Sequence, residues 1–212
     1  MEFDLKITDE LLSTTRAVRK RLNLEKPVPR GLIEECIGLS QQAPTGSNSQ
    51  SWRWLIVEDA DKRAALADIY RFTANTYFEQ GSKKAQTAGD KQTTRVLESA
   101  LFLAENLQHV PLHVIPCVEG RPPEGSPLAA IAAKMGSIFP AVWSFQLALR
   151  ARGLGSCITS MHLGKEKEAA DLLGIPENVM QVALLPVAYT RGTDFKPAQR
   201  PAPSTIIHWD SW

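Results

Sequence analysis

The chain is poor in the features that mark the most easily recognised sites. Its 212 residues include three cysteines and four histidines. Cys36, Cys117 and Cys157 are odd in number, widely separated and form no Cys-x-x-Cys pair, which argues against a disulfide framework and a zinc knuckle. They read as reduced thiols of a cytoplasmic protein. His109 and His113 have i,i+4 spacing, but Pro111 between them prevents a shared helical face, and His162 and His208 stand alone, so no metal is expected. Neither sign of charge dominates. The 24 Lys and Arg against 23 Asp and Glu leave a net charge of +1, too weak a field to hold nucleic acid or an anionic membrane. No apolar run approaches the ~20 residues of a bilayer span. Residues 1–12 alternate charged with apolar side chains, unlike a signal peptide. There is no Gly-x-Ser-x-Gly elbow, and no Ser or Cys has the local context of a nucleophile. Gly153-Leu154-Gly155 opens like a dinucleotide-binding loop, but position 158 is Ile and the segment follows a helix rather than a strand.

What is present is an ordinary globular composition, 43% hydrophobic and 22% charged, over a length that suits one domain spanning 1–212. Periodicity predicts helices over 9–19, 30–42, 61–70, 97–109, 129–152 and 165–173, with the fifth interrupted near Phe139-Pro140 and closed by Gly153. Strands are predicted over 52–58, 110–118, 156–160 and 179–189. Between 71 and about 94 the pattern weakens, which reads as an excursion from the core. The late Ile206, Ile207, His208 and Trp209 suggest a tail that docks on something, a partner subunit included. The class is α+β: about five or six helices around four to five strands.

The polar residues offer a scattered cation set and two small loops. Arg16 and Arg19, at i,i+3 on the predicted first helix, and Arg200, after Lys196, carry the planar forks that suit phosphate. Three arginines alone are more often surface decoration. Pro44–Gln50 is a polar turn whose Asn48 and Gln50 could equally cap the turn or bind a ligand.

The order of five motifs says more. Thr15-Arg16-Ala17-Val18-Arg19, Ala43–Trp52 (APTGSNSQSW), Gly153–Cys157 (GLGSC), Leu173–Glu177 (LGIPE) with Val182–Tyr189 (VALLPVAY), and Arg200-Pro201 with His208-Trp209 follow one another as in the nitroreductase family. The resemblance covers nearly the whole chain except about 71–96 and 119–135. It implies a mostly antiparallel sheet of four to five strands surrounded by helices, in a homodimer with exchanged tails and two FMN sites at the interface. Thr15, Arg16, Ala17, Arg19 and Arg200 would lie at the cofactor, Arg16, Arg19 and Arg200 on its phosphate and Arg19 near the pyrimidine side of its ring. Pro44, Thr45, Gly46, Asn48 and Gln50 would reach the flavin of the other subunit. Ser160 and Met161 would flank flavin N5, with a backbone N–H of Ser160 as donor. The chain departs from the family pattern at Thr15 for Arg, Ala17 for Ser, Ser51 for Pro and Ala198 for Lys, which leaves Lys196 as a substitute cation.

The resemblance further implies ping-pong hydride transfer from NADH or NADPH through N5 to a small electron-poor acceptor such as a nitroaromatic or a quinone. The flavin would do the chemistry, so no catalytic side chain is expected. Tyr70, Phe72, Tyr77 and Phe78 are the expected substrate-side aromatics. Phe139 and Trp143 fit core or dimer packing better. Two alternatives stay open: an FMN-dependent dehydrogenase that oxidises an organic substrate, and a flavin-binding protein without turnover.

Overall fold

The computed structural model describes residues 2–212. It contains α1 (Leu5–Thr14), α2 (Arg30–Ser40), β1 (Trp52–Val57), α3 (Ala60–Thr87), α4 (Lys91–Asn106), β2 (Leu112–Glu119), α5 (Leu128–Ala151), β3 (Leu154–Ser156), α6 (Glu166–Leu173), β4 (Val179–Gln181) and β5 (Leu185–Tyr189). The five strands form one antiparallel sheet in the order β1-β2-β5-β3, with β4 also paired to β2. This is the α+β architecture the sequence predicts.

Helices cover both faces of the sheet. Along β2, Val114 and Val118 pack toward α2 and α5, while Ile115 and Cys117 pack toward α3, α4 and α6. Leu112–Val118 is buried on both sides, and a strand with two dry faces reads in sequence as a continuous apolar run rather than an alternation. Phe145 and Leu149 of α5 on one face, and Leu66 and Leu103 of α3 and α4 on the other, are almost wholly enclosed. Burying each such side chain is worth about 1.5–3 kcal/mol.

Four local predictions are corrected. The first helix ends at Thr14, not Arg19: Thr15 turns extended, Val18 donates its N–H to Ser156 O at 2.9 Å, and Ala17 bridges Ser156 in parallel. Arg16 and Arg19 therefore sit on an added edge segment and not on a helix face. Residues 71–94 do not leave the core. They continue α3 to Thr87 and, after a turn at Gly89, begin α4. The buried side of this hairpin uses Ala74, Phe78, Ser82 and Ala85, residues mostly too small and too polar to print a strong apolar period. Helix α5 runs unbroken through Pro140, because the proline and the Gly136 carbonyl it leaves without a donor both lie on the exposed side. At 24 residues it is the one helix among those described that is long and apolar enough to cross a membrane; here its inner side is core. Finally, 179–189 is two strands. The chain steps at Val182–Leu184, where Val182 donates to Pro116 O and Leu184 pairs with Thr159 instead. Gly153, at φ +73°, takes the left-handed position after α5 that a side chain would oppose.

Candidate functional site

The edge segment after α1 is where the candidate cations gather. It can lie against β3 because Gly155 has no side chain: a Cβ there would stand 2.7 Å from Thr190 Cγ2 and 3.0 Å from Val18 Cβ. On its other side the start of the C-terminal tail is pinned. Arg21 pairs with Asp194 at 2.5 Å and donates to Arg191 O at 2.9 Å, and the Phe195 ring lies between the guanidiniums of Arg21 and Arg150, at 4.2 and 4.7 Å. Arg16 then donates to Lys196 O at 2.9 Å. The result is an open groove of about 400 Å³ lined by Arg16–Arg21, Ser99 and Asp194–Pro197. Among the described residues Arg16, Arg19, Lys20 and Lys196 form no ion pair, so the groove holds uncompensated positive charge.

Next to the groove runs the segment that follows β3. Cys157 is fully buried, and burial pushes its thiol up to about 11 while nearby Arg19 opposes the shift. Tyr70 of α3 is likewise pushed up to about 12 by burial, against its hydrogen bond to Thr159 and the charge of Arg19. Arg19 thus lies close to both. Thr159 is tied to Leu184 by a reciprocal backbone pair, 3.0 and 2.8 Å. Ser160 is exposed beside it, and its N–H donates to no group among the described residues. Met161 is half-buried and opens a short 3-10 turn, Met161–Lys165.

The loop Pro44–Gln50 is elsewhere. It flanks β1, whereas Arg16–Arg19 extends the sheet beyond β3 at the opposite edge. Four strand spacings separate β1 from the Arg16–Arg19 segment, about 19 Å, so one chain does not bring the two predicted halves of the site together. Ser137 of α5 fixes the loop: its Oγ accepts from Gly46 N–H at 3.1 Å, and its carbonyl accepts from Trp52 Nε1 at 2.9 Å. Ser47, Asn48 and Gln50 all have positive φ, +52°, +52° and +45°. Such conformations cost ~1–2 kcal/mol for an ordinary residue and cluster at functional loops. The Gln50 amide donates to Asn48 Oδ1 at 2.9 Å, Gln50 N–H reaches Thr45 Oγ1 at 3.3 Å, and Pro44 lies exposed.

Other predicted residues are placed as follows. Thr15 is half-buried and bonds back to Leu11 O through its hydroxyl, and Ala17 is exposed at the groove. Arg200 is exposed on the tail, bonded only to the Gln199 carbonyl, and does not line the groove; Lys196 does. Tyr70 and Phe78 are corrected as substrate contacts, since at 1% and 7% exposure they are core of the α3–α4 hairpin. Phe72 and Tyr77 are exposed, Phe72 beneath Lys165 Nζ at 4.0 Å. Sequence reasoning passed over Ser137, Arg21 and Phe195. Ser137 carried a signal, a small polar residue inside an apolar helix. Arg21 and Phe195 carried none, being 174 positions apart with no local pattern (195 − 21).

A family model described as the Nitroreductase family matches residues 12–189, and the chain belongs to that family. An iodotyrosine deiodinase of Thermotoga neapolitana is 26% identical over 201 residues, covering 95% of this chain and 97% of the relative. An NADH dehydrogenase of Thermus thermophilus is 24% identical over 221 residues, covering 99% and 100%. Among solved structures, an oxidised iodotyrosine deiodinase bound to FMN and 3-iodo-L-tyrosine superposes with a TM-score of 0.71 at 24% identity, covering 96% of this chain and 99% of that one.

Proposed function

We propose that the protein is an FMN-dependent oxidoreductase that takes electrons from NADH or NADPH and passes them, in two separate half-reactions, to a small electron-poor acceptor. The observation that carries the reading is the unpaired cationic groove of Arg16, Arg19, Lys20 and Lys196 beside an exposed segment with a free N–H at Ser160. The donor set fits the cofactor. Guanidinium forks suit a phosphate of nearly two negative charges, and a cation near the ring favours the reduced, more negative form. Arg16 spends one Nη on Lys196 O and keeps the rest of its fork. When bound, FMN supplies the two-electron chemistry. The protein's share is to grip the phosphate through Arg16 and Arg19, orient the ring with the Ser160 N–H, and shape the acceptor's approach with exposed Phe72 and Tyr77. The names of the two relatives support a nicotinamide donor in one case and a halogenated aromatic acceptor in the other; reductive removal of a halide is therefore the second reading for the same site.

The working unit in this proposal is a homodimer. The outer face of α5 exposes Leu128, Ile131 and Trp143, and the tail exposes Ile206, Ile207, Trp209 and Trp212, the last two at 83% and 102%. Uncovered aromatics and aliphatics on this scale suit a second copy of the chain. A second copy also supplies the missing half of the site, by bringing a Pro44–Gln50 loop to the other chain's groove and giving Arg200 a phosphate to reach.

The test is a spectrum. Purified protein is expected to show a bound flavin that bleaches anaerobically on adding NADH or NADPH and returns with a quinone or nitroaromatic. Return with 3-iodotyrosine and not with those acceptors favours the second reading. Bound FMN that neither nicotinamide reduces defeats the reductase assignment.

A further inference from the structure

Tyr70 and Thr73 stand one turn apart on α3 and meet the same neighbour. The Tyr70 hydroxyl is 3.1 Å from Thr159 Oγ1, although the tyrosine is almost wholly enclosed. Thr73 presses against Gly164, where a Cβ would collide with its Oγ1 and lie 3.2 Å from its Cβ. These contacts bracket Ser160 in sequence, one residue before it and four after. On the far side the same segment is held by the reciprocal Thr159–Leu184 backbone pair. Ser160 is thus carried between a helix and a sheet, with no bond of its own N–H to hold it.

We propose that α3, through Tyr70 and Thr73, is the ruler that places the Ser160 N–H for the flavin, and so sets how tightly the site holds oxidised relative to reduced FMN. This rests on the flavin reading above. Tyr70 is a positioning residue in this scheme: it touches Thr159, not the cofactor. A hydroxyl pair between helix and loop is directional, whereas apolar packing alone would let the loop slide, and a donor aimed at flavin N5, which offers a free lone pair only until hydride adds there, favours the oxidised form and loses effect steeply with misalignment.

The experiment uses the full chain reconstituted with FMN. Tyr70→Phe keeps the ring and removes the hydroxyl; Thr159→Val removes its partner at nearly constant shape. FMN dissociation constants are read by fluorescence quenching, and midpoint potentials by equilibrium titration against a reference dye. Both variants are expected to bind oxidised FMN more weakly than the parent, and reduced FMN, from the dissociation constant and the potential together, within about threefold of it. The preference for oxidised FMN should fall by about fivefold, the worth of one neutral hydrogen bond, which raises the potential by ~20 mV for a two-electron couple. The double variant should move no further than either single one, because both remove the same bond. Additive shifts overturn the proposal, as does an unmoved potential beside a lowered melting temperature, which would make Tyr70 a packing residue only. A parent chain that takes up no FMN sinks the flavin reading itself, whereas bound FMN with an unmoved potential sinks the ruler alone.

Discussion

Two buried histidines should make this fold sensitive to mild acid. His113 of β2 is enclosed, with Nε2 on Leu107 O at 2.8 Å and Nδ1 without a partner. His162 is enclosed with both ring nitrogens unpartnered. Burial lowers each to about 4 from 6.5; the Leu107 carbonyl opposes this for His113 while Arg63 and His162 add to it, and Glu166 opposes it for His162. A depressed folded value means that protons prefer the unfolded chain. The stability is fully present above about pH 6.5 and drains as pH falls toward 4. By pH 4.5 each ring accounts for about 2.5 kcal/mol, or ~5 kcal/mol for the pair, against a total of ~5–15 kcal/mol for a domain. The carboxylates lowered by an arginine partner, Glu35 and Asp194, or by the Thr93 hydroxyl and N–H, Asp90, start from 4.5, 3.8 and 3.8 and lose their contributions below this window. Urea unfolding at pH 8, 6.5, 5.5 and 4.5 measures the slope. His162→Leu removes a ring that makes no hydrogen bond. It is expected to leave stability at pH 8 within about 1 kcal/mol of the parent and to halve the acid loss. A parent equally stable at pH 8 and 4.5, or a His162→Leu chain with an undiminished slope, would refute the reasoning.

Other consequences can be measured as directly. Arg16→Ala should weaken FMN binding roughly ten- to a hundredfold, the worth of one charged hydrogen bond, with thermal stability of the apoprotein unchanged; fluorescence titration and melting curves check both. Ser137→Ala removes the acceptor of the Gly46 N–H, and should cost about 1 kcal/mol in urea unfolding and raise hydrogen exchange selectively in residues 44–50. Trp143→Asp, on the exposed face of α5, should shift the proposed homodimer to monomer by light scattering and abolish flavin retention without unfolding the chain.

The sequence determined the class of fold and the list of cations by itself. Its apolar runs at 110–118 and 179–189 read as buried strands, Gly153 as the end of a helix, and five motifs in one order raised the expectation that Arg16, Arg19 and the Pro44–Gln50 loop share one site. It erred where local pattern and tertiary demand part company. Thr15–Arg19 looks helical, but an edge of β3 offers its N–H groups better-placed partners. The α3–α4 hairpin hides its period because it buries Ala and Ser, and Tyr70 looks like a lid aromatic until the hairpin closes over it. Only the tertiary structure decided that the cationic groove and the Pro44–Gln50 loop sit at opposite edges of one sheet. Side-chain chemistry is written residue by residue, but distance across a sheet is set by strand order, and strand order depends on pairings between residues far apart in the chain.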